Sequence, residues 1–110
     1  ILGEIIDPYV GIDICGDKED EIKIKTKYID DNGFNPRWDE LFRFRITNPD
    51  VALIRFTVYD KDMNMDDFIG SATIPFNSIR TGCRHIQLRD SANTLLELST
   101  LFVKIKIDDS

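Results

Sequence analysis

Glutamate is scarce in this chain of 110 residues, which carries 15 Asp and only 5 Glu. Glu is the better helix former, whereas Asp prefers turns, caps and metal loops, so the imbalance points toward loops. Basic residues are also short: 14 Lys and Arg against 20 acidic residues leave a net charge of −6. That balance excludes general nucleic-acid binding, which needs a basic footprint. At first count it also opposes an anionic membrane surface. The two cysteines, Cys15 and Cys83, allow one disulfide at most. A small secreted framework would carry more, so free thiols in a reducing compartment are expected. No apolar run approaches the ~20 residues of a spanning helix. The opening Ile1-Leu2-Gly3-Glu4-Ile5-Ile6 lacks the basic flank and long apolar region of a signal peptide. There is no initiator Met, so residues 1–110 are expected to be a single domain from a longer protein. The one histidine, His85, has neither a nucleophile partner nor a second metal ligand beside it in sequence, and a structural role is expected.

What is present is a 42% hydrophobic chain with period-two alternation almost throughout. Ile22, Ile24, Thr26 and Tyr28 alternate with Lys23, Lys25 and Lys27. Phe42, Phe44 and Ile46 alternate with Arg43 and Arg45, and Ile54, Phe56 and Val58 with Arg55 and Thr57. Such runs are half-buried antiparallel strands. They predict strands at residues 9–15, 21–29, 41–46, 52–59, 68–74, 84–88 and 101–107. Turn-forming clusters such as Gly16-Asp17-Lys18, Asp30-Asp31-Asn32-Gly33 and Thr47-Asn48-Pro49-Asp50 separate them. Residues 91–99 are compatible with a helical turn. About seven strands and no long helix read as an all-β antiparallel sandwich.

The Asp residues cluster. Asp7 precedes the first strand, Asp30 and Asp31 sit in a turn, Asp60 and Asp62 close a strand, and Asp66 and Asp67 open the next. Residues i and i+2 of a strand share a face, so Asp60 and Asp62 can aim at one point. Loops at one end of a sandwich gather in space. Converging carboxylates repel unless a cation sits among them. Calcium takes roughly six to eight oxygens at about 2.3–2.6 Å and tolerates irregular loops. The absence of His and Cys nearby disfavours zinc, copper and iron. The plain alternative is turn-forming Asp residues at strand ends. Residues 60–66 imitate an EF-hand loop but place Met65 where Gly belongs and Ser71 where the terminal Glu belongs.

Ordered motifs sharpen this reading. Asn32-Gly33-Phe34-Asn35-Pro36-Arg37-Trp38-Asp39-Glu40 resembles the C2 domain's turn into a strand, and Val58-Tyr59-Asp60-Lys61-Asp62 with Asp67-Phe68-Ile69-Gly70 resembles its calcium loop. Asp7-Pro8, the segment from Pro49 to Phe56, Ile74-Pro75-Phe76-Asn77-Ser78 and Gly82-Cys83-Arg84-His85 make the chain most similar to the C-terminal C2 domain of eukaryotic phosphoinositide-specific phospholipase C. The resemblance implies a sandwich in the circularly shifted strand order of those domains. It implies Ca2+ held by Asp7, Asp31, Asp60, Asp62 and Asp67, with Asp66 as an alternative to Asp67. It also implies a strand before Asp7 for which only six residues remain, so the first strand is expected to be missing. Such a gap leaves an open edge, or invites strand exchange or edge pairing with a neighbouring chain.

The function implied is calcium-dependent attachment to anionic phospholipid at the inner face of membranes, from the cytoplasm. Charge repulsion applies only to the metal-free loops. Met63 and Met65 are candidate membrane-inserting tips or gap fillers. Phe34 is a candidate tip or an inward loop anchor, and Trp38 is expected in the core. Lys23, Lys25, Lys27, Arg43 and Arg45 form a basic patch if their strands pair, and otherwise a solvated face. No catalytic constellation is present. The resemblance assigns phosphodiester hydrolysis to a separate barrel domain, with that barrel and EF-hand domains as partners in the parent chain. A calcium-independent scaffold C2 domain and an extracellular calcium-dependent adhesion sandwich are the alternatives.

Overall fold

In the computed structural model the described residues are 7–29 and 38–107, and of 97–99 the backbone alone. They form an all-β antiparallel sandwich. Six strands run β1 (Pro8–Cys15), β2 (Ile22–Lys25), β3 (Leu53–Asp60), β4 (Asp67–Pro75), β5 (Gly82–Arg89) and β6 (Leu95–Ile105). Their hydrogen-bonded order is β2-β1-β3-β4-β5-β6. Eight residue pairs join β1 to β3, from Pro8↔Asp60 to Cys15↔Leu53, whereas β4 meets β5 only at Ser71↔Arg89. The sheet therefore folds over at that one pair, giving a β2-β1-β3-β4 layer and a β5-β6 layer.

Alternation puts the core between them. Val10, Ile14, Ile54, Phe56 and Val58 from the first layer pack with Ile86, Leu88 and Leu101 from the second in one buried cluster. The outer face of the first layer carries Tyr9, Asp13, Lys23, Lys25, Arg55 and Tyr59, the residues in between.

Several expectations change at strand boundaries. Residues 41–46 keep the alternating burial, with Phe44 and Ile46 packed on the core and Arg43 and Arg45 exposed. Among the described residues they join no ladder, so the expected strand there is corrected to a segment without strand pairing. Periodicity selects a buried face, but a ladder also needs a neighbouring strand edge in register. Strand β2 stops at Lys25, short of the predicted residue 29. Beyond it the Thr26 hydroxyl accepts the Val10 N–H at 3.0 Å where a carbonyl would continue the ladder. Strand β6 starts at Leu95, so most of the segment compatible with a helical turn is strand; the chain reverses just before it, where Asp90 Oδ1 accepts the N–H groups of Ala92 and Thr94. Trp38 packs on the core as expected, and its indole N–H donates to the Pro8 carbonyl at 3.1 Å. The expected missing first strand concerns residues 1–6, which lie outside the described residues; among these, β2 and β6 are the outermost strands.

Asp20 organises the end of the sandwich where β1 finishes. It is fully buried, on a short 3-10 turn at Lys18–Asp20. Its Oδ1 accepts the Thr47 N–H and hydroxyl, both at 2.8 Å, and its Oδ2 accepts the Asn48 N–H at 2.9 Å. Asp17 adds a bond from the Asn48 side-chain amide at 2.9 Å.

Candidate functional site

Strand register brings three of the candidate carboxylates to one end of the first layer. Asp60 lies opposite Pro8 on one side and opposite Asp67 on the other. Asp7 precedes Pro8, and its N–H donates to Asp60 Oδ1 at 2.9 Å. The Lys61 N–H donates to the Asp7 carbonyl, also at 2.9 Å. Like charges directly opposed across strands are destabilising in the absence of a cation. The bulge between Val58 and Tyr59 shifts β4 by one residue, and it is this shift that sets Asp67 against Asp60.

Asp62 falls differently. Strand β3 ends at Asp60, so the shared face expected of residues two apart does not extend to Asp62. Residues 61–66 turn back on themselves. The Asp62 N–H donates to Asp66 Oδ1 at 3.1 Å, and Asp62 Oδ1 accepts the Met63 N–H at 2.6 Å. Asp66 is the hub of this loop. Its Oδ2 accepts the Tyr9 hydroxyl at 2.5 Å, and Lys61 Nζ stands 3.7 Å from its Oδ1. The Tyr9 bond, followed by the Asp62 N–H, holds the Asp66 carboxyl below its ordinary value. Burial, reinforced by Asp66, pushes the Tyr9 hydroxyl up to about 12. Tyr9 was not among the sequence candidates. Its position two residues after Asp7, on the outer face of β1, is the signal that could have found it.

The donor set suits a hard cation in its chemistry, since every candidate oxygen is a carboxylate. Among the described residues, however, no three His, Cys, Asp or Glu side chains gather closely enough to hold a metal ion. Asp31 lies outside the described residues, as does Phe34.

Met63 is 99% exposed and Met65 77%, so neither fills a gap against described neighbours. Beside this loop an aromatic row crosses the outer face. Tyr9 stacks on Tyr59 at 5.2 Å, Tyr59 meets the edge of Phe68 at 6.4 Å, and Lys25 Nζ lies 5.7 Å from the centre of the Tyr9 ring. Lys23 is exposed on the same face beside Asp13, which pairs with Arg55 at 3.1 Å. Lys27, Arg43 and Arg45 are exposed too, but the segment of the two arginines is not in a ladder with β2. The condition for one continuous five-residue patch is therefore not met by strand pairing.

The family model of the C2 domain matches residues 2–98. The chain belongs to the C2 domain family. This C2 domain is homologous to those of phosphoinositide-specific phospholipases C. It is 45% identical, over 98% of its length, to the 1-phosphatidylinositol 4,5-bisphosphate phosphodiesterase delta-4 of Xenopus laevis, and covers 14% of that protein. It is equally 45% identical, over 96% of its length, to the inactive phospholipase C-like protein 1 of Homo sapiens, covering 10% of it. Among solved structures, PLC21 of L. pealei superposes with a TM-score of 0.83 at 33% identity, over 92% of this chain and 13% of that one. The C2 domain thus spans about one-seventh or less of each of these three relatives. Among the described residues, no helix is long and apolar enough to cross a membrane.

Proposed function

We propose that this C2 domain attaches its parent protein to anionic phospholipid in a calcium-dependent manner, at the cytoplasmic face of membranes. Asp7, Asp31, Asp60, Asp62 and Asp67 are the proposed ligands. Asp66 is assigned instead to holding the loop through Tyr9 and Lys61. One observation supports the reading above others: Asp7, Asp60 and Asp67 share the end of the sheet from which Met63 and Met65 project into solvent. Calcium bound there supplies positive charge and open coordination positions for lipid phosphate or carboxylate oxygens. The methionine tips then lie where they reach the lipid interface, gaining roughly 0.8 kcal/mol per buried methylene. The parent is proposed to be a phosphoinositide phospholipase C, with hydrolysis in a separate barrel domain.

Calorimetry with calcium on the wild type and on Asp60→Asn/Asp62→Asn tests the site, paired with sedimentation on phosphatidylserine vesicles. Calcium heat and vesicle binding are expected in the wild type, with both lost in the double variant. Sedimentation indifferent to chelator, or unchanged calcium affinity in the variant, overturns the proposal. Met63→Asp/Met65→Asp is expected to keep the calcium heat and to weaken vesicle binding at least tenfold, from the methylenes no longer buried.

A second reading has its own support. Phe102 is 60% exposed on the outer face of β5 and β6, with its ring 4.9 Å from that of His85, away from the Asp loops. Such a face suits a scaffold that packs on the catalytic and EF-hand domains of the parent. That reading alone expects no calcium heat, so the same calorimetry separates the two.

A further inference from the structure

The fold leaves a groove where its two layers part. From the single pair Ser71↔Arg89, β4 and β5 diverge toward Pro75 and Gly82. Along this divergence the outer edge of β4, residues 72–75, has no strand partner among the described residues, and neither does the facing edge of β5. The space between is about 520 Å3, within the range of binding clefts. Ile74, Ile79 and Ile86 supply an apolar lining.

Cations line the same groove. Arg80, Arg84 and Arg89 all border it, in a chain whose net charge is −6. Arg84 continues the inward row of Ile86 and Leu88 past the point where the core ends. Arg84 and Arg89 donate to the carbonyls of Thr81 and Asn93, each at 3.0 Å. Among the described residues none of the three arginines has a carboxylate partner. The one acid on the lining, Asp90, is spent on the turn after β5, accepting the N–H groups of Ala92 and Thr94.

We infer that this groove receives an extended acidic segment of a partner protein, which adds a strand along β4. Edge pairing supplies main-chain bonds, and the lining supplies selectivity, the isoleucines taking apolar groups and the arginines taking carboxylates. The β4 edge from residue 72 to 75 spans about 10 Å, the length of four extended residues, with Pro75 offering a carbonyl and no N–H. A peptide suits it better than a lipid headgroup because the groove opens toward the Pro75 end of β4, opposite the Asp67 end that carries the Met63 and Met65 loop. The inference is independent of calcium.

The test is fluorescence anisotropy in chelator, using a labelled peptide of alternating valine and glutamate on the full chain. Binding is expected, together with its loss when lysine replaces glutamate or when proline replaces the central valine. Arg80→Glu/Arg84→Glu is expected to weaken binding by about tenfold or more, while Arg80→Lys/Arg84→Lys retains most of it. Both arginines are exposed, and matching melting curves confirm that the variants fold. Several results overturn the inference: no binding of the acidic peptide, equal binding by the charge-reversed variant, equal binding of the proline peptide, or displacement by calcium-free phosphoinositide vesicles.

Discussion

Replacing Asp20 by Ala is expected to lower the melting temperature on the order of 10 °C, more than any other single carboxylate substitution in this chain. The reason is its placement. A carboxylate with no exposed surface persists only if its charge is met by donors, and Asp20 has three from Thr47 and Asn48. Truncation removes the acceptor and leaves those two partly buried backbone N–H groups without it. It also releases the turn that delivers the chain into the short 3-10 turn Pro49–Val51 and then β3. Thermal unfolding followed by circular dichroism measures the shift. A fall of only a degree or two would mean that water replaces the carboxylate at no cost.

The same group predicts an acid signature. The Thr47 N–H first, then the Asn48 N–H, hold the Asp20 carboxyl below its usual value. A carboxyl lowered on folding contributes stability that is fully present above the unfolded-state value. That contribution disappears as the pH falls through the folded-state value. Denaturant titrations from neutral to strongly acidic pH are therefore expected to show a shallower loss of stability for Asp20→Asn than for the wild type. Equal slopes would remove Asp20 as a source of the acid sensitivity.

Asp20 also marks the limit of what the amino-acid order makes legible. The two layers follow from alternation, because each strand needs only its own sequence to decide which face is buried. Ile54, Phe56 and Val58 are the plainest case. The carboxylate end is legible for Asp7, Asp60 and Asp67, since they bracket strands whose antiparallel pairing aligns their ends. At Asp62 and Asp66 the chain has left the strand and loop hydrogen bonds decide direction, which alternation does not reach. Nor does alternation reach Asp20, whose burial depends on donors 27 and 28 residues away. Residues 41–46 fail for a third reason: their pattern is that of a strand, but pairing is a property of the neighbour as well.

Gly70→Ala is expected to destabilise the fold by about 1–3 kcal/mol, the range of an overpacked core. Gly70 closes the Asp67-Phe68-Ile69-Gly70 motif and sits one residue before the only pair that joins β4 to β5. A methyl group there would stand 2.8 Å from Leu96 Cδ1, 3.2 Å from Leu88 Cβ and 3.3 Å from the Arg89 carbonyl oxygen. The leucine tip can rotate away. The other two atoms belong to the framework of β5, so relief requires the two layers to separate at their one joint. Gly11 is the internal control. A methyl there meets Tyr59 Cε2 at 3.5 Å and two carbonyl oxygens at 3.9 Å, all ordinary contacts. Gly11→Ala is therefore expected to be neutral or to stabilise by up to about 1 kcal/mol, through the reduced freedom of the unfolded chain. Urea unfolding of both variants measures the contrast. If the Gly70 substitution costs no more than the Gly11 substitution, the joint has room to spare, and the glycine is not what lets the layers approach.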